Sequence, residues 1–586
     1  MNMTYETTAK PFNNEHFVGF INQVTPQFVT AHIPSSQLLS LYHRFGEKYH
    51  PGIVGTYVAI EGEEYGFIGR VLELSLSEKE RLSLTEKSFE KEDFHPVATI
   101  ELLITFNYFK PEQISKGLDT FPHIGAKVFS CNSVFLQRYL SKFGLDEGDE
   151  NQSLFDFAVL TTDENVSVEI SSQSLFGRHC AIVGTTGGGK SWTLARLVED
   201  TVKRNGKAIL IDATGEYKPF DTDSKTKTAT IGTDSYFHYT GLGIGDLFYL
   251  LRPSDRVQRP KLMEAIRSLK MVRLNAGADI VETLRGTTYT LPVENGLLKK
   301  TGCPKKGHEV FYFKRIKEIE ADNLDFDINN LAKQITQECI YDSDRNHPEN
   351  FGNMNEGDVS FCASLMSRIN NLINTESYQN IFGFNRPSRD DQDLNKIIEA
   401  FLADPEKRLL RISLENVGFE FQSREILVNA IGRFLLRKAR NKEFLQKGSL
   451  IVFVDEAHQF LNKTVQDEYY SVQPLDAFDL IAKECRKFGL FICLATQMPR
   501  DIPMGTLSQI GTFIVHRLIN KYDKESIENA CSAANRSALS FLPVLGRGEA
   551  ILLGVDLPMP ISIRVKPPGK KPFSKTPPVI PVTRPS

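Results

Sequence analysis

The residues whose types and spacing could do chemistry begin with Gly184-Thr185-Thr186-Gly187-Gly188-Gly189-Lys190-Ser191. An apolar run, Cys180-Ala181-Ile182-Val183, leads in, and Trp192-Thr193-Leu194-Ala195-Arg196-Leu197-Val198 leads out with helical spacing. Short strand, glycine turn and amphipathic helix is the setting a phosphate-binding loop requires. The glycines let successive backbone N–H groups curl around phosphates with no Cβ in the way. The helix N-terminus adds partial positive charge. Lys190 is placed to meet the β- and γ-phosphates, and the Ser191 hydroxyl to ligate Mg²⁺. The plain alternative is a Gly-rich turn that binds nothing, but all four fixed positions are filled and both flanks are right. Residues Gly184 to Ser191, with Trp192 beside them, therefore read as an ATP site.

Ile451-Val452-Phe453-Val454-Asp455-Glu456-Ala457-His458 is the second signal. A wholly apolar strand delivers two adjacent carboxylates to its C-terminal end, where open α/β sheets bind ligands. Asp455 suits Mg²⁺, and Glu456 is placed to orient or deprotonate the water that attacks the γ-phosphate. Alone, such a pair is as often a solvated acidic turn; beside a phosphate loop it becomes an assignment. His458 reads as structural. Gln497 directly follows the apolar run Leu490–Ala495 and Thr496. An amide at that tip could touch the γ-phosphate, and a simple strand-end turn before Pro499 stands equally well.

Three arginines, Arg178, Arg486 and Arg517, lie beside these strands. Arg178 and Arg486 precede their strands, so each falls near the edge of the sheet away from the nucleotide. At ~3.3 Å per residue that is ~17 Å from the phosphates, beyond one side chain's reach. They suit catalysis in trans, across a subunit seam, or an ordinary surface ion pair. Glu216, in Asp212-Ala213-Thr214-Gly215-Glu216-Tyr217, ends a further strand and suits either catalytic support or a turn.

The elements that position these residues follow from hydrophobic pattern. Residues 1–150 carry short β-branched and aromatic runs punctuated by Gly, Pro, Asn and Asp, which predict a small β-barrel. The charged stretch Leu145–Asn151 reads as a linker. Strand, helix and strand across 151–225 predict a right-handed βαβ unit with a parallel sheet. Residues 226–405 break that rhythm and read as a mainly helical insertion. The α/β pattern resumes over 406–565, and 566–586 reads as an extended C-terminal tail.

Composition sets wide bounds. With 586 residues, two to four domains are expected. Apolar residues at 41% and charged residues at 24% are those of an ordinary globular chain. A net charge of -4 excludes a uniformly basic nucleic-acid coat but leaves room for a local basic channel. The eight cysteines include no C-x-x-C pair, so neither zinc nor a disulfide framework is indicated. No 18-residue apolar run is present for a membrane span, and the compartment reads as cytosol.

Together, the loop Gly184–Ser191, Asp212–Tyr217, Val454–His458, Ala482-Lys483-Glu484-Cys485-Arg486-Lys487-Phe488-Gly489 and Leu494–Gln497 resemble the HerA branch of the HerA/FtsK ATPases. The ending Gly546-Arg547-Gly548-Glu549-Ala550 fits as well. The resemblance implies an α/β fold: a RecA-like P-loop NTPase core, an N-terminal small β-barrel and a mainly helical insertion. It implies a homo-hexameric ring that moves double-stranded DNA through its channel, using ATP and Mg²⁺. It also implies work with a nuclease-like or sirtuin-like effector, in DNA-end processing or antiviral defence. The catalytic set it suggests is Glu456, Lys190, Gln497, Arg178, Arg486 and Glu216, with Ser191 and Asp455 on the metal. Where the family often has Asp-Pro-His-Gly-Glu, this chain has Asp-Ala-Thr-Gly-Glu, a departure that leaves the contribution of Thr214 open but not that of Glu216. DNA contacts would come from basic clusters: Arg256, Arg259, Lys261, Arg267, Lys270 and Arg273, or Lys299-Lys300 and Lys305-Lys306, although most such runs are solvated faces. A ring-shaped scaffold, whose nucleotide only stabilises assembly with an effector, is the reading from a different class.

Overall fold

The computed structural model describes residues 11–573, apart from 27, 45–46, 78–79, 81–92, 108–117, 119, 132, 141–152, 419–421, 462–474, 532–535 and 558. The stretch read as a linker, Leu145–Asn151, lies outside the described residues. Two compact units emerge: Met1–Ala208 with Leu450–His458 and Leu490–Ser586, and Ile209–Ser449 with Gln459–Gly489.

The first unit opens with a closed barrel of β1 (Phe17–Val24), β2 (Phe28–His32), β3 (Tyr57–Ile60), β4 (Tyr65–Ser75), β5 (Val97–Asn107) and β6 (Lys127–Ser130), in the order β1-β2-β5-β4-β3-β6. Alternating residues such as Ile21, Val29, Ile60, Phe67, Ile100 and Val128 fill its interior. Register shifts after Ile68 and Val71 in β4 bend the strand around the barrel. The small barrel expected from the spacing of the runs is thus present.

The strands that follow, in chain order, are β7 (Leu154–Leu160), β8 (Ser167–Ser171), β9 (Cys180–Val183), β10 (Lys207–Asp212), β11 (Thr226–Thr230), β12 (Leu409–Ser413), β13 (Leu450–Val454), β14 (Leu490–Thr496), β15 (Thr512–His516), β16 (Glu549–Gly554) and β17 (Ile561–Val565). Within the first unit they run β8-β7-β17-β16-β15-β9-β14-β13. The last four are parallel and the others pair antiparallel. β9 is apolar at every position and fully buried, as a strand covered on both faces must be. Val183 is level with Thr496 on one side and Val515 on the other, and Val454 is level with Leu494. That register brings the residues after β9, β13, β14 and β15 to one edge. β14 stands between the strand feeding the phosphate loop and the strand ending at Asp455, which is the RecA-like arrangement of a P-loop NTPase. α1 (Lys190–Lys203) buries Leu194, Leu197 and Val198. Residues 566–571 follow α1 instead of leaving the surface: Lys566 Nζ donates to Ser167 Oγ at 2.9 Å, and Gly569 N–H to Glu199 Oε2 at 2.8 Å. The tail beyond 573 lies outside the described residues.

In the second unit the order is β10-β12-β11, with β11 parallel to β12. The sheet thus takes in 226–230, the start of the stretch read as insertion. Its Thr-Lys-Thr-Ala-Thr sequence lacks an apolar run because β11 is an edge strand with partly exposed positions. The remainder is mainly helical, with α2 (Gln258–Leu274), α3 (Leu331–Glu338) and α4 (Glu356–Asn374), plus small hairpins between 280 and 298. Two lysines from the basic clusters are corrected here. Lys270 is buried, its Nζ donating to the carbonyls of Ile319 at 3.1 Å and Ala321 at 2.5 Å. Lys300 is buried against Glu338, 2.6 Å away. Neither side chain can meet a DNA phosphate. Arg259, Lys261 and Arg267 pair with Asp255, Glu264 and Glu320, while Arg256 is exposed.

Candidate nucleotide-binding and catalytic site

The phosphate loop occupies the turn between β9 and α1. Gly187 and Gly189 have φ of +77° and +120°, a backbone that side chains rarely adopt. At Gly184 a Cβ would stand 2.6 Å from His516 Cβ. Three neighbours brace the loop. The Arg517 carbonyl accepts from Thr185 N–H at 3.1 Å, Gly548 N–H donates to the Gly188 carbonyl at 3.0 Å, and His516 packs beneath. His516 Nδ1–H donates to the Glu549 carbonyl at 2.8 Å, which leaves Nε2 to accept from Thr193 Oγ1 at 2.8 Å. Burial pushes this imidazole down to about 4, helped by the Lys190 charge and opposed by its bond to Glu549, so it is neutral at pH 7.

Lys190, first residue of α1, points its ammonium at the tip of β13. Nζ lies 3.0 Å from Asp455 Oδ1 and 2.7 Å from Glu456 Oε1, and its side chain is only 5% exposed. Burial opposes its charge, but the Asp455 and Glu456 carboxylates outweigh that and hold Lys190 above the usual lysine range. Gln497 bridges the next gap: its Nε2 donates to Glu456 Oε1 at 2.6 Å, and its Oε1 accepts from Thr186 Oγ1 at 2.6 Å. His458 Nδ1 stands 3.3 Å from Glu456 Oε2 and 3.3 Å from Thr496 Oγ1. Glu456 itself has φ +48°, a strained backbone for a non-glycine residue and one found at functional sites.

Lys190, Asp455, Glu456, Gln497 and Thr186 thus converge at one sheet edge of the first unit. Arg178 lies at the other end of β9, paired with Asp556 at 3.0 Å. Glu216 and Arg486 belong to the second unit. There the Asp212 carboxylate accepts from the N–H groups of Thr214, Gly215 and Tyr217 and shapes the turn that carries a half-buried Glu216. Arg486 is exposed on the short helical turn Cys485–Phe488. Trp192 is half-buried, with Lys571 Nζ 5.9 Å from its ring centroid. His516 and Gly548 had no local signal; only a histidine ending an apolar strand and a glycine-flanked turn hinted at them.

Residues 157–403 match the family model described as the central domain of helicase HerA. Over that central stretch the chain is similar to HerA-type ATPases. Several archaeal relatives are similar over most of their length. A probable helicase of Methanocaldococcus jannaschii is 24% identical over 444 residues, 73% of each chain. From the same organism, a probable DNA double-strand break repair helicase HerA is 23% identical over 455 residues, 75% of this chain and 80% of its own. The Pyrococcus furiosus DNA double-strand break repair helicase HerA is 20% identical, covering 75% of this chain and 73% of its own. Among solved structures, VirB4 of Thermoanaerobacter pseudethanolicus covers 72% of this chain and 97% of its own, at 13% identity and a TM-score of 0.46. The loop Gly184–Ser191 lies within the stretch that the family model matches. Among the described residues no helix is long and apolar enough to cross a membrane.

Proposed function

We propose that this chain is a HerA-type ATPase working as a hexameric motor that drives duplex DNA through its channel, coupled to an effector protein. The observation that carries the reading is the convergence of Lys190, Glu456 and Gln497 at the phosphate loop, since such a site hydrolyses ATP rather than merely storing it. The names of the archaeal relatives support DNA as the track.

Ser191 and Asp455 would hold Mg²⁺. Their donors are all oxygen and Asp455 is buried beside the loop, which suits a hard cation. When bound, the ion neutralises phosphate charge. Lys190 then leaves the carboxylates for the β- and γ-phosphates, and Glu456 orients the attacking water and takes its proton. Gln497, tied to Thr186 of the loop, holds Glu456 in register. Arg178 or Arg486 supplies positive charge to a neighbour's γ-phosphate across the ring seam. Glu216 supports the neighbouring strand tip. The effector is nuclease-like or sirtuin-like, and the pair acts in DNA-end processing or antiviral defence.

The test is ATP turnover with and without linear duplex DNA at low salt, alongside electron micrographs with ATP. Stimulation that fades with added salt, together with six-fold rings, is expected. Turnover indifferent to DNA with the effector present, and effector activity surviving Glu456→Gln, would favour the scaffold reading instead.

A further inference from the structure

Two arginines unused by the catalytic network ride on the frame of the phosphate loop. Arg517 directly follows β15, and its carbonyl accepts from both the N–H and the Oγ1 of Thr185, at 3.1 and 3.2 Å. Arg547 sits in the turn Gly546–Glu549, where Gly548 N–H donates to the Gly188 carbonyl at 3.0 Å. That turn is stiff. Glu549 Oε2 accepts from Gly546 N–H at 2.7 Å, and Glu549 Oε1 pairs with Arg564 at 2.9 Å. Gly189 and Gly548 come so close that a Cβ on Gly189 would lie 3.0 Å from Gly548 Cα.

Both arginines are exposed, and among the described residues neither side chain has a hydrogen bond or ion pair. Their neighbours differ: Arg564 pairs with Glu549, and Arg500 lies near Asp501 and Asp523. Two arginines whose guanidinium groups have no counter-ion among the described residues thus have their main chain, or that of the next residue, bonded to the phosphate loop. The guanidinium fork matches phosphate oxygens in pairs of hydrogen bonds. Because the tethers run to Thr185 and Gly188 of the same chain, the two backbones stay beside their own loop, within side-chain reach of what it holds.

We propose that Arg517 and Arg547 form a cationic rim that grips the phosphate chain of the nucleotide bound to the same subunit. This rests on the loop Gly184–Ser191 being the nucleotide site. The test measures binding of a non-hydrolysable ATP analogue and of inorganic tripolyphosphate to the full chain, for wild type, Arg517→Gln, Arg547→Gln, the double variant and Lys190→Ala. Each single change should weaken both ligands about tenfold and the double about a hundredfold, with kcat within about threefold and an unchanged melting temperature. Arg517→Lys should recover part of the loss, as a point charge without the fork. Loss of analogue binding with tripolyphosphate unaffected would place the arginines on the base or ribose and overturn the proposal. So would a fall in kcat at unchanged affinity, which is the signature of action in trans. Unchanged affinities in the arginine variants with binding lost in Lys190→Ala would remove the rim alone. Binding that survives Lys190→Ala would remove the site beneath it.

Discussion

Lys190 Nζ rests 2.7 Å from Glu456 Oε1, so the cation proposed for phosphate is held by the carboxylate proposed for water. Without nucleotide the two neutralise each other inside a nearly closed site. In the proposed mechanism ATP draws the ammonium away and so frees the base as phosphate arrives. Glu456→Gln removes that competing charge while keeping the shape. The variant should bind ATP about fivefold more tightly than wild type, and its turnover should fall ~10²–10⁴-fold. Lys190→Ala should lose both. Nucleotide binding by fluorescence, beside steady-state phosphate release, measures the two effects separately; weaker binding in Glu456→Gln would contradict the latch.

Gln497 links the loop to the base through Thr186 on one side and Glu456 on the other, both at 2.6 Å. Gln497→Ala should lower kcat about tenfold or more with little change in ATP affinity, since the amide positions Glu456 rather than gripping phosphate. Gln497→Glu is the sharper probe. It keeps the shape but replaces a donated hydrogen bond to Glu456 with like-charge repulsion, so kcat should fall at least as far as in Gln497→Ala. A Gln497→Glu variant as active as wild type would assign Gln497 a packing role.

The phosphate loop and the Asp455-Glu456 tip were legible because each is contiguous and its flanking strand is apolar throughout. The barrel was legible for a similar reason, its strands being short, β-rich and evenly punctuated. What escaped was non-local. His516 and Thr193 are 323 positions apart, and only the parallel pairing of β9 with β15 brings them together. The basic clusters misled because a count of lysines does not reveal their partners: Glu338 lies 38 positions from Lys300, and the carbonyls that hold Lys270 are about as remote. β11 was read as insertion because an edge strand of threonines gives no apolar run.

In the second unit Arg411 is buried with Asp212, its Nε 2.8 Å from Asp212 Oδ2, and its Nη1 reaches Asp221 at 2.9 Å. Asp212 also organises the turn bearing Glu216. Arg411→Met would strand a buried carboxylate, and about 3–5 kcal/mol of stability should be lost. Asp212→Asn in the same chain should restore much of it by removing the orphaned charge. Urea unfolding of the single and double variants decides this; a single variant as stable as wild type would show that the pair contributes nothing.

His516 gives the last test, through pH. Its imidazole is held down to about 4 in the folded protein, whereas an unfolded histidine titrates near 6.5. Above pH 6.5 both states are neutral at this residue, and its contribution is fully present. As pH falls from 6.5 towards 4 the unfolded chain takes a proton that the folded chain refuses, so stability is lost across that window. The 2.5-unit gap corresponds to about 3 kcal/mol. Carboxylates add their own slope, so the comparison is with His516→Gln, whose amide can still meet Thr193 Oγ1 but does not titrate. Denaturant midpoints measured from pH 7 to pH 4 should fall more steeply in wild type than in the variant. Because His516 underlies Gly184 and Gly189, ATP affinity of the folded protein should hold across that window and decline only as pH nears 4. Parallel slopes for the two proteins would mean that the imidazole takes up its proton without disturbing the loop it supports.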